Sequence, residues 1–170
     1  APTRILGLIL FRRLWGWAVA AGPPTAACPF TDVPDWCRPY VAYAYAQGYT
    51  KGMDEKGGIF GTNDTLTAGQ YVTFLLRALG YRDSGEAPDF TWDTALERAV
   101  ELGVLTPGEE AMLTSETFLR AQVVYLSYFA LDAPCQDGSG TLLERLVSGG
   151  VLDGAVASVV RSGVEVSRLP

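Results

Sequence analysis

Glu97 and Glu101 stand one helical turn apart, a separation that puts two carboxyl groups on one face, where they could divide general-acid and general-base work. Two acids so placed are far more often the solvated side of a helix, and no supporting pattern of residues accompanies them. The chain has no histidine, which removes the commonest neutral-pH general base and zinc ligand, and with it any Ser-His-Asp or Cys-His arrangement. Proton transfer would fall to carboxylates, lysine, tyrosine or cysteine. Cys28, Cys37 and Cys135 are odd in number and lack a C-x-x-C spacing, so neither a zinc site nor a thioredoxin-like motif is indicated. A Cys28–Cys37 bridge would close a short loop in a secreted protein, but free, semi-buried thiols are the expectation. Asn63-Asp64-Thr65, with Asp54 and Glu55 nearby, lacks the regular alternation of a calcium loop. No metal, cofactor or catalytic residue is assigned, and catalysis is not expected.

What remains is binding chemistry. Tyr40, Tyr43, Tyr45 and Tyr49 form a cluster that could line a carbohydrate groove. The helical phase of Tyr40 and Tyr45 points instead to a core with hydroxyls at its edge, and Tyr43, out of phase, is the better contact candidate. Arg12 and Arg13, flanked by Trp15 and Trp17, read as a solvated edge with aliphatic stems packed over rings. The net charge of −6 and a pI near 4.6 oppose sequence-independent binding to nucleic acid, so an anionic partner must be met by local arginines.

The elements that must position these groups follow from periodicity. At 170 residues with 48% hydrophobic and 19% charged content, the chain is long enough to bury a core without metal or disulfide support. Three helix ends repeat one pattern, a Gly preceded by apolar residues at −8, −7, −4 and −3 and followed by another apolar or aromatic residue. They are Tyr40, Val41, Ala44 and Tyr45 before Gly48-Tyr49; Ala95, Leu96, Ala99 and Val100 before Gly103-Val104; and Leu142, Leu143, Leu146 and Val147 before Gly150-Val151. Each set is one helical stripe closed by a left-handed glycine. The glycines lie 55 and 47 residues apart, which predicts an array of related helical units.

A second helix type lies between them. Thr67 to Leu79 places Tyr71, Phe74, Leu75, Ala78 and Leu79 on one face, starts at a capping box from Thr67 to Gln70 and stops at Gly80. A related helix from about Leu119 to Leu131 aligns Leu119, Val123, Leu126 and Ala130, and residues 3–15 supply a third. Gly22 to Pro34, Lys51 to Asp64, Arg82 to Pro88, Thr106 to Ser115 and Ala133 to Gly140 read as loops. The apolar run Ile5 to Ala21 carries Arg12 and Arg13 at its centre, which a membrane span or signal-peptide core would not tolerate. Thr25-Ala26-Ala27-Cys28 matches a lipoprotein cleavage site only loosely, and the run is expected to be a packed helix.

Phe30-Thr31-Asp32-Val33-Pro34, then Trp36, a helix ending at Gly48, a loop with Gly52 and Phe60, the Thr67 cap, and Leu76-Arg77-Ala78-Leu79-Gly80-Tyr81 together resemble the S-layer homology repeat. Residues 30–81 match throughout, residues from Phe90 to Leu131 match loosely, and 3–16 and 141–152 match as half-repeats. The resemblance divides the chain into a second helix of a truncated repeat (1–22), a best-preserved repeat (29–82), a divergent repeat (88–132), a half-repeat helix (139–157) and a tail (158–170) that reads as a short helix, an added strand or linker. It implies an all-α fold in which helix–loop–helix units pack as a pseudo-threefold bundle.

It also implies a function: noncovalent attachment to the envelope of a Gram-positive-type bacterium. In the family, grooves between repeats hold an anionic secondary wall polymer, often bearing a pyruvate ketal, and the Arg of a T-R-A-E motif meets its carboxylate. A guanidinium beside a helix N-terminus suits that task. Arg4 and Arg120 occupy the Arg position, while the best-preserved repeat has Ala68 there. Gln70, Gln122 and Leu6 replace the acidic residue. Arg77, near the far end of its helix, is expected to matter less than Arg120. Trp36 is a candidate for stacking on a sugar or for plugging the core, and Asp32 for accepting a hydroxyl or capping a turn, with capping favoured. The glycan-binding set is thus Arg120, Arg4, Trp36, Tyr43, Asp32, Gln70 and Gln122. The alternative is a protein-interaction or surface-assembly module that keeps the scaffold and has lost the polymer site. In either case the chain is expected outside the cell, as part of a larger surface protein or as a small stand-alone member, with no nucleic-acid partner and no membrane span.

Overall fold

The computed structural model describes residues 1–14, 27–115 and 117–170. Among them are eight helices and no named strand: α1 (Arg4–Leu14), α2 (Arg38–Ala46), α3 (Ala68–Ala78), α4 (Ala95–Glu101), α5 (Pro107–Ser115), α6 (Arg120–Ala130), α7 (Leu142–Ser148) and α8 (Gly154–Ser162). The all-α class expected from periodicity is what the structure has. No helix among the described residues is long and apolar enough to cross a membrane. The readings of Arg12, Arg13, Trp15 and Trp17, and of the run after Leu14, lie outside what is described.

Several helix starts are closed by side chains. Thr67 Oγ1 accepts the Gln70 N–H while the Gln70 side chain accepts the Thr67 N–H, both at 3.2 Å, a complete capping box. Thr141 and Glu144 repeat it at α7. At α6 only half survives, because Leu119 has no acceptor and Gln122 alone takes the Leu119 N–H, at 2.7 Å. The helix ends close on left-handed glycines: Gly48, Gly80, Gly103 and Gly150 have φ of 74°, 99°, 72° and 69°. The residue after each donates its N–H five positions back, Tyr49 to Ala44, Tyr81 to Leu76, Val104 to Ala99 and Val151 to Leu146, at 2.8–3.0 Å. These bonds take up carbonyls that a helix end otherwise orphans, and a Cβ would disfavour the conformation.

The three 11-residue helices, α1, α3 and α6, meet at the centre. Phe11 of α1 is fully buried and presents its ring to Tyr49, Tyr71 and Phe74. Tyr71 of α3 meets Ser127 of α6 at 2.5 Å. The Ser127 hydroxyl donates to the Val123 carbonyl, so Tyr71 is the donor in their bond. Eight of the eleven residues of α3 are buried, more than the one face its periodicity predicts, because α4 and α6 both pack on it. A smaller apolar cluster, including Ile5, Leu8, Phe30, Val41 and Phe60, joins α1 to α2 and to the loop that follows it.

Three sequence expectations are corrected. Residues 106–115, read as a loop, form α5: Thr106-Pro107-Gly108-Glu109 is a capping box, with Glu109 Oε2 accepting the Thr106 N–H at 2.9 Å and Thr106 Oγ1 accepting the Glu109 N–H at 3.1 Å. Pro107 sits at the first helical position, where its missing N–H does no harm. Leu119, assigned to the buried stripe, is 46% exposed, since the helix begins only after it. The boundary drawn at 157 falls inside α8, so the tail begins as the short helix that was one of its readings, and its last residues lie against α5 and α6, with Leu169 bonded to Thr106 and Tyr125. Cys28 is half-buried, Cys37 and Cys135 are buried, and all three are free thiols.

Because Phe11 fills the meeting point of the long helices, Phe11→Ala is expected to cost about 3–5 kcal/mol. Loss of one cap in Thr67→Ala should cost about 1 kcal/mol. Urea unfolding followed by helical circular dichroism measures both, and equal losses would refute Phe11 as the centre of packing. Thiol titration without reductant should find three thiols in the unfolded chain, with Cys28 the fastest in the native one.

Candidate functional site

The start of α1 is stitched to the loop before α3. Arg4 and Ile5 donate their N–H groups to the Asp64 and Thr62 carbonyls, Leu66 donates to Pro2 at 2.9 Å, and Thr3 bridges Thr65. Gly7 permits this approach, since a Cβ there would strike the Leu66 side chain. The result fixes Arg4 beneath the surface at 4% exposure. Its guanidinium lies 5.3 Å from the Phe60 ring centroid and 5.5 Å from that of Phe74. One terminal nitrogen donates to the Gly52 carbonyl at 3.3 Å, and the buried Nε has no partner. Burial, with the Arg77 cation adding to it, pushes the Arg4 pKa down to about 10, while Asp64 and Asp32 pull the other way. Among the described residues no carboxylate reaches ion-pair distance of Arg4. A buried cation without a counter-ion is unfavourable, and an anion brought to it relieves that cost.

Arg4 lines a groove of about 460 Å³ together with Met53, Gln70, Thr73, Arg77 and Trp92. Arg77 donates to the Tyr49 carbonyl at 3.0 Å and to Asp83 at 2.5 Å, and Lys51 holds the other Asp83 oxygen at 3.0 Å. Burial alone would raise the Asp83 carboxyl, but the bonds from Arg77 and Lys51 hold it below its ordinary value. Asp83 also lines the groove, but both its oxygens are taken by Arg77 and Lys51. Gln70 spends its oxygen on the cap, and its amide nitrogen reaches Met53 at the groove wall. Trp92 is 80% exposed and presents an open aromatic face beside these donors.

Asp32 does structural work. Its two oxygens accept the N–H groups of Phe60, Gly61 and Thr62 at 2.7, 2.8 and 3.1 Å, and Thr62 Oγ1 returns a bond to the Asp32 carbonyl. Burial pushes its carboxyl up, and the Phe60, Thr62 and Gly61 bonds outweigh that and hold it low. The capping expectation holds, though the capped turn lies 28–30 residues away rather than in the following helix.

Of the other residues in the glycan-binding set, Gln70 alone joins Arg4 in the groove. Gln122 is buried with its oxygen spent on the α6 cap. Arg120 is exposed at the start of α6 and lines neither this groove nor the next. Trp36 is 64% exposed and plugs no core. Tyr43 lines a separate groove of about 440 Å³ with Tyr49, Arg77, Leu142 and Arg145. Arg77, expected to matter less than Arg120 because it lies near the far end of its helix, lines both grooves, with the loop that carries Asp83 bonded back to it. Sequence reading missed Trp92, whose signal was available. Phe90-Thr91-Trp92 matches Phe30-Thr31-Asp32, with an exposed tryptophan in place of the stapling acid. Glu101 pairs with Arg98 on the α4 surface, and Glu97 is on that same short helix.

Compared with known proteins, the chain matches no family model, no curated protein and no solved structure.

Asp32 and Asp83 both have folded-state pKa values below their unfolded ones. Their stabilisation is therefore complete above the unfolded value, near 3.8, and is lost as pH falls through the lower folded value. Asp32→Asn should be less stable than wild type at neutral pH and lose less stability between about pH 5 and pH 2. Urea midpoints across that range test it, and an unchanged acid slope would count against the staple.

Proposed function

We propose that this chain binds a carboxylate-bearing glycan of the bacterial cell wall noncovalently, in the Arg4 groove, and so holds a surface protein at the envelope. The observation that carries the reading is the Arg4 guanidinium, buried with no carboxylate at ion-pair distance among the described residues, against a groove that also offers Arg77, the Gln70 amide and the open face of Trp92. A carboxylate brought to Arg4 gains charge-assisted hydrogen bonds in a partly dehydrated site. Trp92 provides the apolar platform on which a sugar ring stacks, as amphipathic aromatics do at binding surfaces. The resemblance to S-layer homology repeats supports the same reading, with α1, α3 and α6 as the second helices of three units arranged with approximate threefold symmetry. The ligand is then the anionic secondary polymer of a Gram-positive-type wall, a pyruvate ketal being a fitting carboxylate. The protein works outside the cell and performs no catalytic step.

Sedimentation with purified wall sacculi, with and without their secondary polymer, tests this. Wild type should bind only the polymer-bearing preparation. Trp92→Ala, at a site too exposed to disturb folding, and Arg4→Ala should each weaken binding by roughly ten- to a hundredfold. Arg120→Ala should change it less than about twofold. Equal binding to stripped and intact sacculi, or indifference to both groove substitutions, would remove the glycan reading.

A further inference from the structure

The groove that Tyr43 lines measures about 440 Å³ and lies where the ends of α2 and α3 meet α7. Two arginines, Arg77 and Arg145, line it, and no aspartate or glutamate is among the described residues of its wall. The chain as a whole carries a net charge of −6, so this wall is locally opposite in sign. Main-chain carbonyls hold both cations. Arg145 donates to the Ala78 carbonyl at the end of α3, and Arg77 donates to the Tyr49 carbonyl at 3.0 Å. A carbonyl orients a guanidinium and offsets only part of its charge. Among the described residues no carboxylate comes within ion-pair distance of Arg145, and Asp137 feels its charge from farther away.

The rest of the wall suits a sugar. Burial raises the Tyr49 phenol above its ordinary value, the Tyr43 phenol adds to this, and the Arg145 cation opposes it. The three groups therefore act on one another at one place, and the Tyr49 hydroxyl stays protonated at neutral pH. Gln47 is exposed, while buried Leu142 and Leu146 with half-buried Val151 give an apolar patch. An acidic sugar is matched group by group: its carboxylate to the Arg145 guanidinium, its hydroxyls to the Gln47 amide, its ring faces to the tyrosines and the apolar patch.

Arg77 is the wall this groove shares with the Arg4 groove. One of its terminal nitrogens is turned to Tyr49 and the other to Asp83. We propose that a single glycan chain fills both grooves, with one acidic sugar at Arg4, a second at Arg145, and the crossing at Arg77. The inference rests on the reading of the Arg4 groove and adds that the ligand bears carboxylates on at least two of its residues. Once the first is bound, the second meets Arg145 at a high effective concentration, so two weak contacts make a firm one.

Calorimetric titration with polymer released from the sacculi, and with a fragment of it bearing one acidic sugar, tests the second contact. Wild type should bind the polymer at least about tenfold more tightly than the fragment. Arg145→Ala should erase most of that advantage while binding the fragment within about twofold of wild type. Gln47→Glu, at an exposed position that leaves the fold intact, should do the same by setting a carboxylate against the incoming one. Polymer that binds both variants as tightly as wild type, yet still needs Arg4, overturns this inference and leaves the Arg4 reading standing. An equal loss on polymer and fragment in Gln47→Glu overturns it too, since one sugar would then account for the whole contact. If wild type binds no polymer, both readings fall.

Discussion

No helix described in this protein exceeds eleven residues, and helices so short do not persist alone in water. Every other feature answers that constraint. Each end must find partners for its orphan N–H or carbonyl groups, and each apolar stripe must be covered by another helix. The capping boxes at Thr67, Thr106 and Thr141 and the left-handed glycines at 48, 80, 103 and 150 meet the first demand. The convergence of α1, α3 and α6 around Phe11 and Tyr71 meets the second.

Capping by glycine has a consequence for chemistry. A helix that closes within one residue hands the chain at once to a loop, and these loops carry polar groups to the flanks of the long helices. Gly52 and Met53 follow Gly48 and form one wall of the Arg4 groove, and Asp83, just beyond Gly80, locks Arg77 into another. Asp32 makes this arrangement stiff by tying residues 60–62 to the start of the same unit. Thr62 in turn accepts the N–H of Ile5, so the staple at Asp32 is two bonds from the helix that presents Arg4.

Two buried charges are met in different ways. Among the described residues Arg4 has no carboxylate within ion-pair distance, whereas Glu109 is satisfied by Arg168 of the same chain. Gly108, with no side chain, and the acceptor hydroxyl of Tyr125 admit the chain's last residues there.

Helix class, the left-handed glycines and the Thr67 cap were legible in the sequence because each depends on residues within one turn of one another. The box at Thr106 was equally local and was passed over because Pro107 and Gly108 read as loop punctuation, although proline is well suited to a first helical position. The site was legible only in part. Arg4 and Gln70 could be named from a motif, but nothing local distinguishes Arg4, buried between Phe60 and Phe74, from Arg120, exposed at the same helix position. That difference, like the roles of Asp32, Arg77, Trp92 and Arg168, rests on partners 6 to 64 positions distant or on exposure that packing alone fixes. By itself the sequence determined where helices begin and end, since those bonds close over three to five residues. Which charges lie buried, and which groove stays open, was decided only by tertiary structure, because burial belongs to surfaces that distant segments make together.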